Sequence, residues 1–196
     1  MKKILKNIFL LIVVLIIHSC IDFSDNIKKE AIKDENFIAI TTNNEYLVKL
    51  PKYMKKAKNL NDEASLQYQN LFKETYFVVI DEPKNEFKEV FIDLGEYNDS
   101  ISLIKNYKNI QINYFKESLS DLEFLSENSL KINGNNAEKI EFNGKVPGVI
   151  YNINYQITFV EGATKAYMLM AWTLKRKKEK YRETFDYISN SFTVLE

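Results

Sequence analysis

Val149, Tyr151, Ile153, Tyr155, Ile157 and Phe159 alternate with Asn152, Asn154, Gln156 and Thr158. A period of two puts the apolar and aromatic side chains on one face of a strand and the amides and hydroxyls on the other. Glu161-Gly162 then marks a turn. The next segment, Tyr167 to Leu174 (YMLMAWTL), is apolar on both faces, as a central strand is. After Lys175 to Lys178, the residues Tyr181, Phe185, Ile188 and Phe192 step by four, three and four. That spacing is one stripe of a helix. Such a helix buries its stripe only by lying on the sheet, which restricts this chain to layered α and β architectures.

The preceding residues extend the pattern. Phe37 to Thr41 and Glu45 to Leu50 flank the polar turn Asn43-Asn44, and Pro51 ends the second strand. Residues 52–63 are polar loop. Leu66 and Tyr68 alternate with polar neighbours, and Thr75 to Asp81 (TYFVVID) is a short β-branched and aromatic strand with both faces covered. Glu82-Pro83 breaks it. Asn98 to about Glu117 is expected to be helical, with Asn98, Asp99 or Ser100 as cap and Leu103, Tyr107, Ile110 and Tyr114 as its stripe, widened by Ile101, Ile104 and Phe115. Leu119 to Leu130 reads as a short helical turn and loop. Ala137 to Phe142 forms a strand after the Asn133-Gly134 turn, and Asn143-Gly144 with Pro147-Gly148 marks the next turn.

The N-terminus has a different character. Lys2, Lys3 and Lys6 precede ten unbroken apolar residues, Ile8 to Ile17, and then His18-Ser19-Cys20. This is the layout of a secretory signal, too short to span a bilayer. The junction resembles a bacterial lipobox, with an aliphatic residue at −3, a small one at −1 and Cys at +1. The resemblance implies diacylglycerol on the Cys20 thiol and cleavage before it. Residues 1–19 are therefore expected to be a lipoprotein signal peptide and 20–36 the lipidated Cys and a flexible, charged tether. Residues 37–196 are expected to be a single domain. The expected location is the bacterial cell envelope, on the periplasmic side or at the outer membrane.

Removing residues 1–19 leaves 24 basic and 27 acidic side chains, a net charge of about −3. There is no global pull toward nucleic acid. The single His and the single Cys both lie in this N-terminal stretch. A mature chain without histidine or free thiol has no Ser-His-Asp or Cys-His nucleophile, and no His- or Cys-ligated zinc, haem or iron–sulfur site. With only five Gly in 196 residues, a glycine-rich nucleotide loop is disfavoured as well.

Four segments carry a family resemblance: Tyr46 to Met54 (YLVKLPKYM), Gly134 to Ala137 followed by Glu138-Lys139-Ile140, Lys165 to Leu169, and Tyr181, Phe185, Ile188 and Ser191-Phe192. With the order of elements, they resemble the PsbP-like fold, shared by Mog-type Ran-binding proteins, across about Glu45 to Leu195. The resemblance implies an α+β fold: a mainly antiparallel sheet of six or seven strands flanked by helices, an α-β-α sandwich. Members include photosystem assembly subunits, small-GTPase binders and envelope lipoproteins, so it also implies a non-catalytic binding or assembly module. Metal sites in plant members rely partly on histidine and are not carried over.

Two sets of residues are candidates for contact. Lys175, Arg176, Lys177 and Lys178, extended by Lys180 and Arg182, would suit an anionic surface; the alternative is a solvated strand-to-helix connection. Tyr151, Tyr155 and Trp172 would line an aromatic groove; the alternative is core beneath a helix. Asp81-Glu82 with Glu86 and Glu89 could ligate Ca²⁺, but no Asp-x-Asp-x-Asp-Gly loop is present. No catalytic residue, metal ligand or cofactor is assigned. The expected partners are the membrane, through Cys20, and an envelope protein. The alternative functions are a carboxylate-dependent hydrolase or transferase and a carrier of a small apolar ligand.

Overall fold

The computed structural model describes residues 28–195, so the signal segment and Cys20 lie outside the described residues. Thirteen elements follow in order: β1 (Phe37–Thr42), β2 (Tyr46–Pro51), β3 (Lys55–Lys56), β4 (Leu66–Asn70), β5 (Thr75–Pro83), α1 (Lys84–Asp93), α2 (Leu103–Ser118), β6 (Ser120–Ile132), β7 (Asn135–Lys145), β8 (Ile153–Glu161), β9 (Lys165–Leu174), α3 (Lys178–Asn190) and β10 (Thr193–Val194). A seven-stranded antiparallel sheet has the order β3-β4-β5-β9-β8-β7-β6, and a small sheet has the order β1-β2-β10. The architecture is α+β, as the element pattern implies. The first hairpin belongs to the small sheet instead of extending the large one.

Both faces of the large sheet are covered. On one, α1 and α2 pack Phe87, Phe91, Ile104, Tyr107 and Ile110 against Ile80, Ile140, Phe142, Ile157, Phe159 and Met168. On the other, α3 and the small sheet pack Tyr46, Val48, Leu50, Tyr181, Phe185, Ile188 and Phe192 against Phe77, Val79, Val160, Tyr167, Leu169 and Ala171. The four residues of the α3 stripe are at most 1% exposed. The alternation of β8 therefore separates two buried faces. Asn154, Gln156 and Thr158 lie beneath α3 and are at most 2% exposed, as deeply buried as the apolar face.

The structure departs from the sequence expectations at several elements. Leu119 to Leu130 is not a turn and loop but most of β6, the long edge strand. Its pairing with β7 shifts register between Ser120 and Glu123 and again between Phe124 and Ser126, which erases the two-residue alternation. Helix α1 has no counterpart in the sequence reading; half of its ten residues are charged, and only Phe87 and Phe91 are buried. Helix α2 begins at Leu103, capped by Ser102, whose Oγ accepts from the Lys105 amide. Asn98 is used locally instead: its Oδ1 accepts from the Ser100 amide, and its carbonyl oxygen accepts from Asn106 Nδ2. The rejected caps thus hold the turn before the helix.

Residues 30–36, expected as part of the tether, dock on the domain. The Glu30 amide donates to the Lys180 carbonyl at 3.0 Å. The Glu30 carboxylate accepts from Lys73 Nζ (2.7 Å), Tyr53 Oη (2.8 Å) and Thr184 Oγ1 (2.8 Å). Farther along, Asp34 pairs with Lys49 at 2.7 Å. Burial disfavours charge on Glu30, but those three donors outweigh it and hold the carboxyl below its ordinary value of 4.5.

Two predictions follow from this packing. Phe185→Ala should cost about 3–5 kcal/mol through lost burial and a cavity, lowering Tm by on the order of 10 °C in a domain of this size. Glu183→Ala, which removes only the surface pair with Lys29, should move Tm by no more than ~2 °C. Circular dichroism melts decide it; equal small shifts would mean that α3 is not docked. The second concerns pH. A depressed carboxyl pKa contributes stability that is full above the unfolded value and is lost as pH falls through the folded value. Glu30→Gln should therefore destabilise the fold at neutral pH, and its cost should shrink below about pH 4.5. A cost that is the same at both pH values in urea titrations would contradict the assignment.

Candidate functional site

Antiparallel register sets what gathers at one end of the large sheet. Thr75 starts β5, and its partner Thr173 lies near the end of β9. Asn154 then pairs with Thr173, and Asn143 with Asn154. The connections that leave this end are the β4–β5 turn (71–74), the β7–β8 loop (146–152) and the basic segment 175–177. They are in contact: the Lys175 amide donates to the Asn152 carbonyl at 2.8 Å, and Arg176 and Lys177 both pair with Glu74, at 3.5 and 2.5 Å.

One residue away from the polar row, on the opposite face, an aromatic row crosses five strands. Tyr76 pairs with Trp172, Trp172 with Tyr155, Tyr155 with Phe142, and Phe142 with Phe124. The first three contacts are stacked, with ring centroids 5.2, 6.5 and 5.1 Å apart. Phe115 of α2 covers the middle, over Phe142 and Tyr155. Burial pushes the Tyr155 hydroxyl up to about 12. The flanks are more open: Tyr76 and Trp172 are half-buried and Phe124 is exposed. Flat apolar surface with open edges suits a ring-bearing ligand or an aromatic anchor from a partner.

Beneath α3 the other face is polar. Asn154 Nδ2 donates to Asn143 Oδ1 at 3.1 Å and to Glu141 Oε1 at 3.0 Å, and Asn143 Nδ2 donates to Glu123 at 2.8 Å. Lys175 reaches the same Glu123 oxygen at 2.8 Å and holds that carboxyl below its usual range. Arg182 pairs with the buried carboxylate of Glu141. Thr75 Oγ1, Thr173 Oγ1, Asn154 Oδ1, Gln156 Oε1 and Thr158 Oγ1 are buried without a protein partner. The basic segment is thus tied to a polar network, but Arg176 is still well exposed.

The structure brings Tyr155 and Trp172 together and leaves Tyr151 apart. Tyr151 lies in the loop before β8, half exposed, with the Arg176 guanidinium 5.5 Å from its ring centroid. It lines an open hollow of about 290 Å³ with Asn152, Leu174, Lys175 and Arg176. Lys178 pairs with Glu179 at 3.8 Å. The row members Tyr76, Phe142 and Phe124 escape sequence reasoning, because only the strand register aligns them with Trp172. The acidic set is not assembled. Asp81 accepts from Lys165 at 2.8 Å, Glu82 accepts from Tyr107 at 2.9 Å, and Glu86 and Glu89 are exposed on α1. Burial raises the Glu82 carboxyl above its ordinary value.

No known family matches the chain by sequence, and no curated protein does. Among solved structures it is similar to cyanobacterial PsbP from Synechocystis, with a TM-score of 0.56 at 13% identity, over 84% of this chain and 96% of that one. It is also similar to LpqN, described as involved in cell envelope biogenesis of Mycobacterium tuberculosis, with a TM-score of 0.52 at 10% identity, over 85% and 98%. At these identities the likeness concerns the fold: the chain has a PsbP-like fold.

Proposed function

We propose that this chain is a lipid-anchored protein of the bacterial cell envelope that acts by binding, as a non-catalytic assembly module. The aromatic row carries the reading. Five strands hold a stacked surface rigidly, open at Tyr76 and Trp172 on one flank and at Phe124 on the other. Three acids of the sheet are engaged in holding the fold. Asp81 is paired with Lys165, Glu138 with Lys108 at 3.2 Å, and Glu141 with Arg182. The envelope role described for LpqN, which shares the fold, supports the location.

The binding surface is tested by placing a photo-crosslinking phenylalanine at position 76, with position 163 in the β8–β9 turn as control. Irradiated cells should yield a discrete adduct from position 76 and none from 163. Equal labelling at both positions, or none at either, would sink the reading. The anchor is tested separately. Cys20→Ala should give an exported protein that lacks the acyl mass and is released by salt washing, whereas a variant that still pellets like the wild type would refute lipidation.

A further inference from the structure

We infer that the end of the large sheet built by residues 71–74, 146–152 and 175–180 is a membrane-contact face, which rests an anionic lipid surface against apolar loop tips and a cationic rim. This deepens the anchored-module reading and rests on it for the tether.

Three independent observations converge. The first is exposure. Phe72 is 98% exposed, Ile150 78%, Leu71 64% and Tyr151 50%, and all four sit in the two connections of this one end. Isolated surface apolar residues need no explanation, but a cluster at the tips of adjoining loops marks an interaction surface. The tips project from opposite sides of the basic segment, which holds both loops through the Glu74 pairs and the Asn152 carbonyl.

The second is charge. Residues 175–180 hold five basic side chains against the single acid Glu179. Glu74 and Glu123 draw off part of that charge, yet Arg176 remains 60% exposed beside Tyr151. In the sequence as a whole, acids and bases are equal in number. The cationic excess is therefore local, and it lies where the apolar tips are. Apolar insertion with a basic surround is the chemistry of binding to anionic lipid interfaces.

The third is where the chain arrives. Lys28 and Lys29 lead into Glu30, which is bonded to Lys73 of the β4–β5 turn and to the Lys180 carbonyl in the first turn of α3. The N-terminal segment therefore enters the domain at this same end. Seven residues separate Cys20 from Lys28, eight Cα–Cα steps with a reach of at most about 28 Å when fully extended. Acyl chains on Cys20 would hold this end, and not the β8–β9 turn, next to the bilayer. Each loop contact then forms at the high local concentration that a short tether creates.

The test uses the mature protein purified from membranes and reconstituted in phosphatidylcholine vesicles with and without phosphatidylglycerol. Phe72→Trp and Ala163→Trp are compared by quenching with lipids brominated in the acyl chain, after subtraction of the wild-type signal from Trp172. Quenching at position 72 should exceed that at 163 severalfold in the anionic vesicles, and should fall toward it when phosphatidylglycerol is omitted or salt is raised. Equal quenching at the two positions overturns the face. So does quenching at 72 that ignores lipid charge. A photo-crosslinker at position 72 that captures protein instead of lipid in cells also overturns it, in favour of a protein partner. The intact mass of the same samples reports acylation, so a failure of the anchor is read separately from a failure of the face.

Discussion

The register of β5, β9, β8, β7 and β6 is the constraint on which the rest depends. Tyr76, Trp172, Tyr155, Phe142 and Phe124 form one rung, while Thr75, Thr173, Asn154, Asn143 and Glu123 form the rung beside it, facing the other way. A slip of one residue in any strand would exchange the two faces. It would put an aromatic ring among the amides under α3 and an amide among the rings under α2. Because both faces are buried, either error is costly: an unpaired polar group in apolar surroundings costs roughly 1–3 kcal/mol. The sheet is thus specified by two kinds of burial instead of by burial against solvent.

That arrangement explains what could be read from the sequence. Strand β8 and the stripe of α3 are legible because each has a single period and a chemically consistent face, and β9 because it is a short run that is apolar on both faces. The fold class is legible because helix stripes and central strands combine in few ways. Edge strand β6 is not, since two register shifts interrupt its alternation and much of its surface is wet. Helix α1 is hidden by its charges, although Phe87 and Phe91 at a spacing of four are a faint trace of it. The start of α2 is ambiguous because Asn98, Asp99, Ser100 and Ser102 can all cap; Ser102 does so through the Lys105 amide, while Asn98 is held by Asn106 in the preceding turn. At the candidate site, Tyr155 and Trp172 were legible as aromatics, but their alignment with Tyr76 and Phe124 is a property of pairing, which local sequence does not encode.

Charge plays a largely internal part. Lys108, 4% exposed, sits between Glu127 and Glu138 and pins α2 to the edge of the sheet. Arg182 and Glu141 pin α3, and Lys165 joins Glu45, in the β1–β2 turn, to Asp81 of the large sheet. Removing one partner of a buried pair typically costs 3–5 kcal/mol, because the other charge is stranded. The pairs therefore specify how elements are joined more than they add stability. They also explain why net charge says little about partners here: several of the buried charges answer one another inside the fold, and the informative quantity is the local excess in residues 175–180.

The same reasoning links anchor to orientation. A tether attached at an arbitrary point lets a domain present any face to the bilayer. Here Glu30 fixes the point of arrival through three side-chain bonds and one backbone bond, two of them to Lys73 and Lys180, which adjoin the exposed tips. The three side-chain bonds favour the ionised carboxylate, and they hold its pKa below the ordinary value. Had the chain entered by the β8–β9 turn, a short tether would have drawn the opposite end to the membrane and left Phe72 and Ile150 facing water. With arrival where it is, the aromatic row runs across the sheet one step above the tips. In the proposed membrane-bound orientation, its open flanks at Tyr76 and Phe124 would face sideways along the lipid surface, within reach of another protein held in the same membrane.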